Sequence, residues 1–189
     1  MKYIPNILEK NERSEHMFDL LSKLMKERII LLSEEIDDTS ASVIIAQLLY
    51  LSSLSKDPIK MYINSPGGSV YAGLAIYDTM QMIECEVHTL CMGIAASMAA
   101  ILLAGGSNGN RSALTHSEVM IHQPLGGING SASDMEIAAN HIIRTKRKLN
   151  MILAKHTGMS LDKITLDCDR DFYMDAYEAL EYNIIDKVL

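Results

Sequence analysis

The sequence predicts an α/β fold in which parallel strands are joined by right-handed helical crossovers. Between residues 28 and 104, short apolar runs alternate with helix-period segments in the order β-α-β-α-β-α, with short connections. Residues 98–104, MAAILLA, are apolar on nearly every face, the pattern of a helix buried in a core. The alternation ends at Gly105-Gly106, and a long helix with a polar face dominates the C-terminal part of the chain.

Taken in order, residues 1–13 mix Ile4, Pro5, Ile7 and Leu8 with charges at no clear period and read as an arm. Residues 14–27 read as an amphipathic helix, with Ser14 as N-cap and Met17, Leu20, Leu21, Leu24 and Met25 on one face. A strand over 28–32 leads to a helix over 40–52, buried through Val43, Ile44, Leu48 and Leu49. Asp57-Pro58 marks a turn before the strand 59–64, which runs into Ser65-Pro66-Gly67-Gly68. A helix over 69–83 and a strand over 87–92 come next, and Gly93 breaks the pattern of that strand.

Beyond the diglycine, residues 111–114 and 118–123 are short strands, and PLGGING (124–130) favours extended or turn backbone. The longest helix, 133–157, is opened by a capping box of Ser133 with Glu136 and closed by Gly158. At about 1.5 Å per residue it is too long for a core of this size to cover. Its apolar stripe, Met135, Ala139, Ile142, Leu149 and Leu153, calls for a second subunit, and RTKRK (144–148) reads as its solvated face. A helix over 160–166, a strand near 172–174, a helix capped by Asp175 with Glu178, and residues 184–188 close the chain. No repeat or linker divides it, so residues 1–189 read as one domain.

Composition narrows the function. A net charge of −7, from 17 basic and 24 acidic residues, offers no footprint for nucleic acid or an anionic membrane. Cys85, Cys91 and Cys168 form no CxxC and read as small buried hydrophobes of a reducing compartment. The longest apolar run falls short of the roughly 20 residues of a membrane span, and the expectation is a soluble, cytoplasmic protein.

One hydroxyl stands out, Ser97, at the junction of a strand and the buried helix. Free backbone N–H groups and the positive helix end there favour an oxyanion forming beside it. For this stretch alone, close packing among alanines is the simpler explanation of a small residue. A nucleophilic serine needs a base and a group to orient that base. His122 ends a strand, where a side chain can emerge at a sheet edge, and Asp171 sits in the charged turn DCDRD; spacing alone does not select them from the six histidines and many acids. Gly67-Gly68 lies at the C-terminal end of a strand, where open α/β sheets place their sites, and the N–H groups of Gly68 and Met98 could form an oxyanion hole. GxGxxG is absent, no GK[ST] follows the glycines, and GIAASM around Ser97 is not the GxSxG elbow.

Four motifs in order, YINSPGGSVYAGLAIYDTM (62–80), CMGIAASMAA (91–100), VMIHQPLGG (119–127) and HTG…DRDFYM…EALEYNIID (156–186), resemble the proteolytic subunit of the Clp protease, the caseinolytic serine peptidases. The likeness runs through essentially the whole chain. It implies a crotonase-like α/β fold of repeated β-β-α units with a protruding helix-strand handle, about residues 124–158. Ser97 within AASM matches the nucleophile, His122 within MIHQP the base, Asp171 within DRDF the orienting acid, and Gly68 and Met98 the oxyanion donors.

The resemblance further implies seven-membered rings stacked in pairs, with Arg170, Gly126 and Gly127 at the ring-to-ring contact and residues 1–13 at the axial pore. Unfolded protein chains would be fed in by a partner AAA+ unfoldase that uses the ATP, leaving this chain without cofactor or metal. Lys60, Tyr62, Leu90, Met92, Ser112, Leu114 and Leu189 match the pocket that receives the unfoldase. Lys60 and Ser112 replace aromatics usual there, Ile94 a usual glutamine, Leu21 a usual tyrosine and Asn183 a usual glycine. These departures leave a second reading open, a mainly structural paralogue completing a mixed ring.

Overall fold

The protein is described by a computed structural model over residues 4–11 and 14–189. It opens with a hairpin, β1 (Asn6–Asn11) pairing antiparallel with β2 (Ser14–Asp19). The helix expected over 14–27 is thus strand in its first half. Only α1 (Leu20–Lys26) is helical, and its N-cap is Asp19, whose carboxylate accepts from the Ser22 N–H at 2.9 Å. The reason is that a helix this short depends on a buried face. Met17 is 69 % exposed, and β1 supplies ladder partners that the helix would forgo. Part of the expected arm is therefore β1, while residues 1–3, 12 and 13 lie outside the described residues.

The alternation then runs as expected: β3 (Ile29–Leu32), α2 (Asp38–Leu54), β4 (Ile59–Ser65), α3 (Val70–Met82), β5 (Val87–Ala96) and α4 (Met98–Ala104). β6 (Arg111–Ala113), β7 (Glu118–Ile121), α5 (Ala132–Thr157), α6 (Leu161–Asp167), β8 (Phe172–Asp175), α7 (Ala176–Glu181) and β9 (Lys187–Val188) complete the chain. The main sheet runs β3-β4-β5-β6-β9, with β7 on β5 and β8 on β7, and only the β7–β8 pair is antiparallel. This is the mixed α/β, mostly parallel architecture of the expected fold class, with seven helices among the described residues.

β5 organises the sheet because it changes partner part-way. Thr89–Cys91 pairs with β6, and residues 94–96 pair with β7. Gly93 sits at the change with φ +93°, so it bends the strand rather than ending it at Met92. A Cβ there would stand 2.8 Å from Asn64 Oδ1, the atom that accepts the Ile94 N–H at 3.2 Å. Only glycine supplies both the left-handed backbone and the close approach.

α4 leaves the end of β5 and is buried at every residue. α5 is its opposite, 26 residues with only Leu149, Asn150, Leu153 and Thr157 buried. It begins earlier than expected because two capping sequences overlap. The Ser131 box with Asp134 forms instead of Ser133 with Glu136, and Gly158 closes the helix at φ +73°. Its stripe is partly covered by the chain itself: Leu149 and Leu153 join the core, and Ile142 packs over Gly126. Met135, Ile137, Ile143 and Met151 stay exposed. All three cysteines are free and buried, and burial pushes the Cys91 and Cys168 thiols up to about 11.

Candidate active site

Strand register brings the site together. Ala96 is paired with Met120 on β7, and the Ser97 N–H donates to the Met120 carbonyl at 2.8 Å. Ile121 is paired with Phe172 on β8. The residue after β5, the residue after β7 and the residue before β8 are therefore neighbours, and these are Ser97, His122 and Asp171.

The side chains meet with hydrogen-bond geometry. Ser97 Oγ lies 2.9 Å from His122 Nε2, and His122 Nδ1 lies 2.9 Å from Asp171 Oδ1. With Nδ1–H donating to the carboxylate, Nε2 is left to accept the serine proton. The His122 side chain is 16 % exposed and that of Asp171 57 %. Burial thus holds the histidine, while the acid stands at the surface.

Ser97 itself has φ 55° and ψ −120°, a backbone state that costs a serine about 1–3 kcal/mol. Its neighbours enforce it: the Ser97 carbonyl accepts from Ala100 and Ile101, and α4 beyond it is fully buried. The hydroxyl makes no cap bond to its own helix and points to His122 instead. Gly67 presses on the same spot. A Cβ on it would fall 2.8 Å from Ser97 Cβ, 3.0 Å from the Met98 nitrogen and 2.5 Å from the Ala96 carbonyl, with φ already at +89°. Gly68 is pinned behind it, a bridge partner of Ile36, so the glycine turn cannot back away. Met98 opens α4, where the first N–H groups have no partner within the helix.

Two hollows flank the triad. One, beside Ser97, is small, walled by Val70, Ile101, Ile121, Pro124, Leu149 and Leu153 with the polar side chain of Asn150 among them. The other, of about 410 Å³, is polar and carries Gln123, Asp169 and Arg170 beside His122 and Asp171. Compared with known protein families, residues 12–189 match Clp protease. The chain belongs to the Clp protease family.

Membership carries the class of activity, a Clp-type serine peptidase, and the likeness read from the four motifs holds. In this Clp protease, Tyr62, Leu90 and Ser112 share one row across β4, β5 and β6, and Lys60 pairs with His88 one step earlier on the same face. Lys60 is exposed, Tyr62, Leu90 and Met92 are half-buried, and Leu114 and Leu189 are exposed beside them. Ser112 differs from a missing outer wall in one respect, being 5 % exposed with its hydroxyl donating to the Thr89 carbonyl at 3.1 Å. Gly126 is under Ile142, a Cβ added to Gly127 would point into open space among the described residues, and Arg170 is exposed next to Asp171.

Several contacts were not legible in the sequence. Lys146, part of the basic run, leaves the solvated face and reaches Gln123 and Asp169. His141 stacks on Tyr71, whose hydroxyl it meets. His156 is half-buried against the Tyr77 hydroxyl at 2.8 Å. Burial, with the charges of Lys155 and Arg111, lowers its imidazole to about 4. Among the described residues, no helix is long and apolar enough to cross a membrane.

Proposed function

We propose that this chain is the proteolytic subunit of a self-compartmentalised, ATP-dependent Clp protease, an endopeptidase that cuts unfolded chains by serine chemistry. One observation carries the reading: a continuous Ser97–His122–Asp171 relay, both bonds 2.9 Å, built on a serine held in strained backbone. Ser97 Oγ attacks the scissile carbonyl carbon as its proton passes to His122 Nε2. The oxyanion faces the N–H groups of Gly68 and Met98, and Asp171 stabilises the imidazolium. His122 then protonates the leaving amine, and water, activated by the same imidazole, releases the acyl chain from Ser97. The small hollow beside Ser97, mostly apolar but with Asn150 in its wall, leaves room for no more than a small side chain next to the cut bond.

Rings stacked in pairs, with α5 and residues 124–130 between them, fit the four exposed apolar residues that α5 leaves uncovered. The row of Tyr62 and Leu90, with Leu114 and Leu189, is the face on which a AAA+ unfoldase would dock, weakened at Lys60. A mainly structural paralogue has that changed docking face in its favour; the assembled relay favours the active enzyme. A serine-directed fluorophosphonate should label Ser97, and Ser97→Ala should remove both labelling and peptide cleavage, a fall on the order of 10⁴-fold or more. Cleavage that survives Ser97→Ala would end the serine reading. A wild-type ring that assembles without labelling would leave the structural paralogue.

A further inference from the structure

We propose that Lys146 is a positioning residue for the His122–Asp171 pair, acting by tying the segment after His122 to the turn before Asp171. The inference rests on the serine peptidase reading above. Its basis is a closed triangle of contacts. Lys146 Nζ, reaching down from α5, donates to Gln123 Oε1 at 2.9 Å and lies 3.3 Å from Asp169 Oδ1. Gln123 Nε2 donates to the Asp169 backbone carbonyl at 2.7 Å. Gln123 comes directly after His122 in the chain, and Asp169 stands two residues before Asp171.

The triangle meets a need visible in the site. The last strand pair before the relay is Ile121 with Phe172, so His122 and Asp171 both lie just outside the ladder. Asp171 is 57 % exposed, and a solvated carboxylate on a turn gains little from facing one histidine. Cross-linking the two segments one step further out restricts the turn to the arrangement in which they face each other. The Lys146 side chain is 24 % exposed, whereas its neighbours Arg144, Arg147 and Lys148 lie in solvent. Asp169 also answers the ammonium charge, which left alone would oppose the imidazolium that forms on His122.

A partly exposed ion pair contributes little to stability, so the effect belongs in turnover. Misplacement of a catalytic group by about 1 Å can cost on the order of 100-fold in rate. The triangle also places α5, a helix with most of its length exposed, in mechanical contact with the chemistry.

The test uses the assembled full-length protein, purified at one oligomeric size, with a short fluorogenic peptide and a fluorophosphonate. Lys146→Met keeps the stem and removes the donor; Lys146→Arg keeps a donor; Asp169→Asn keeps the backbone acceptor and removes the ion pair. Lys146→Met should lower kcat about tenfold or more with KM within about twofold. It should leave one reactive serine per chain, labelled more slowly, and Lys146→Arg should recover most of the rate. Asp169→Asn should show a smaller loss that adds nothing to Lys146→Met, as for members of one network; it carries the test if Lys146→Met fails to assemble. Variants as fast as wild type, or a slow variant explained by fewer reactive serines, would overturn the positioning role. A wild-type protein with no reactive serine would instead overturn the peptidase reading.

Discussion

α4 and α5 face each other across Ser97 and are held in opposite ways. α4 has seven residues, all buried, and its start carries a strained serine that the surrounding core will not let relax. α5 has 26 residues, four of them buried, and touches the site through Leu149, Leu153, Lys146 and the packing of Ile142 on Gly126. Ser97 is thus fixed by a core complete within one chain. Asp171 and its turn are fixed by hydrogen bonds and by a helix that still has Met135, Ile137, Ile143 and Met151 uncovered. Rigidity at Ser97 comes with the fold, whereas order at Asp171 depends on what α5 leans against.

The largest test of this contrast is at the acid. Asp171→Asn should leave the fold intact and lower turnover steeply, toward the ~10⁴-fold known for the same change in another triad, where the histidine tautomer is lost. Circular dichroism and steady-state kinetics on one sample check both halves. Near-normal turnover would mean that Asp169 or Asp167 orients the histidine instead.

A pair of substitutions then compares the helices directly. Leu102→Ala, at a side chain of zero exposure in α4, should cost about 2–5 kcal/mol in denaturant unfolding. Ile143→Ala, 63 % exposed on α5, should stay within about 0.5 kcal/mol in the dissociated chain. If Ile143→Ala alone weakens assembly in sedimentation while Leu102→Ala does not, the exposed face is a contact between copies. Equal stability losses would break the contrast.

A smaller effect should appear with acid. His156, at the end of α5, is paired with Tyr77 and held neutral down to about 4, below its ordinary 6.5, first by burial and then by Lys155 and Arg111. The unfolded chain takes up that proton at higher pH than the folded one. Its contribution is therefore present above about 6.5 and is lost as pH falls toward about 4. Urea unfolding at several pH values should show a shallower loss over this window in His156→Gln than in wild type. Identical pH dependence would place the acid sensitivity elsewhere.

Much of this was legible in the sequence because it is local. Alternating apolar runs, the Asp175–Glu178 capping box, the Gly158 stop and the diglycine turn after β4 depend on residues near one another in the chain. The motifs around Ser97, His122 and Asp171 were legible too, but as a likeness, since nothing in their spacing selects one histidine from six. Where local signals competed, the sequence misled. Residues 14–19 have a helical pattern, yet a partner strand captured them, and the capping box at Ser133 lost to one starting two residues earlier.

The relay itself is a product of tertiary structure. Ser97 and Asp171 meet at His122 because β5 bends at Gly93 and exchanges β6 for β7, and because β7 pairs with β8 in one register. Lys146 looked like part of a solvated basic face because its neighbours are. Its four-carbon stem reaches Gln123 and Asp169 only once α5 is docked on Leu149 and Leu153. By itself the sequence determined which segments are helix or strand over most of the chain, and that a serine stands where a strand meets a buried helix. Which distant side chains face that serine was decided by strand register and helix docking, since hydrogen bonds of about 3 Å between residues far apart in sequence exist only in the assembled sheet.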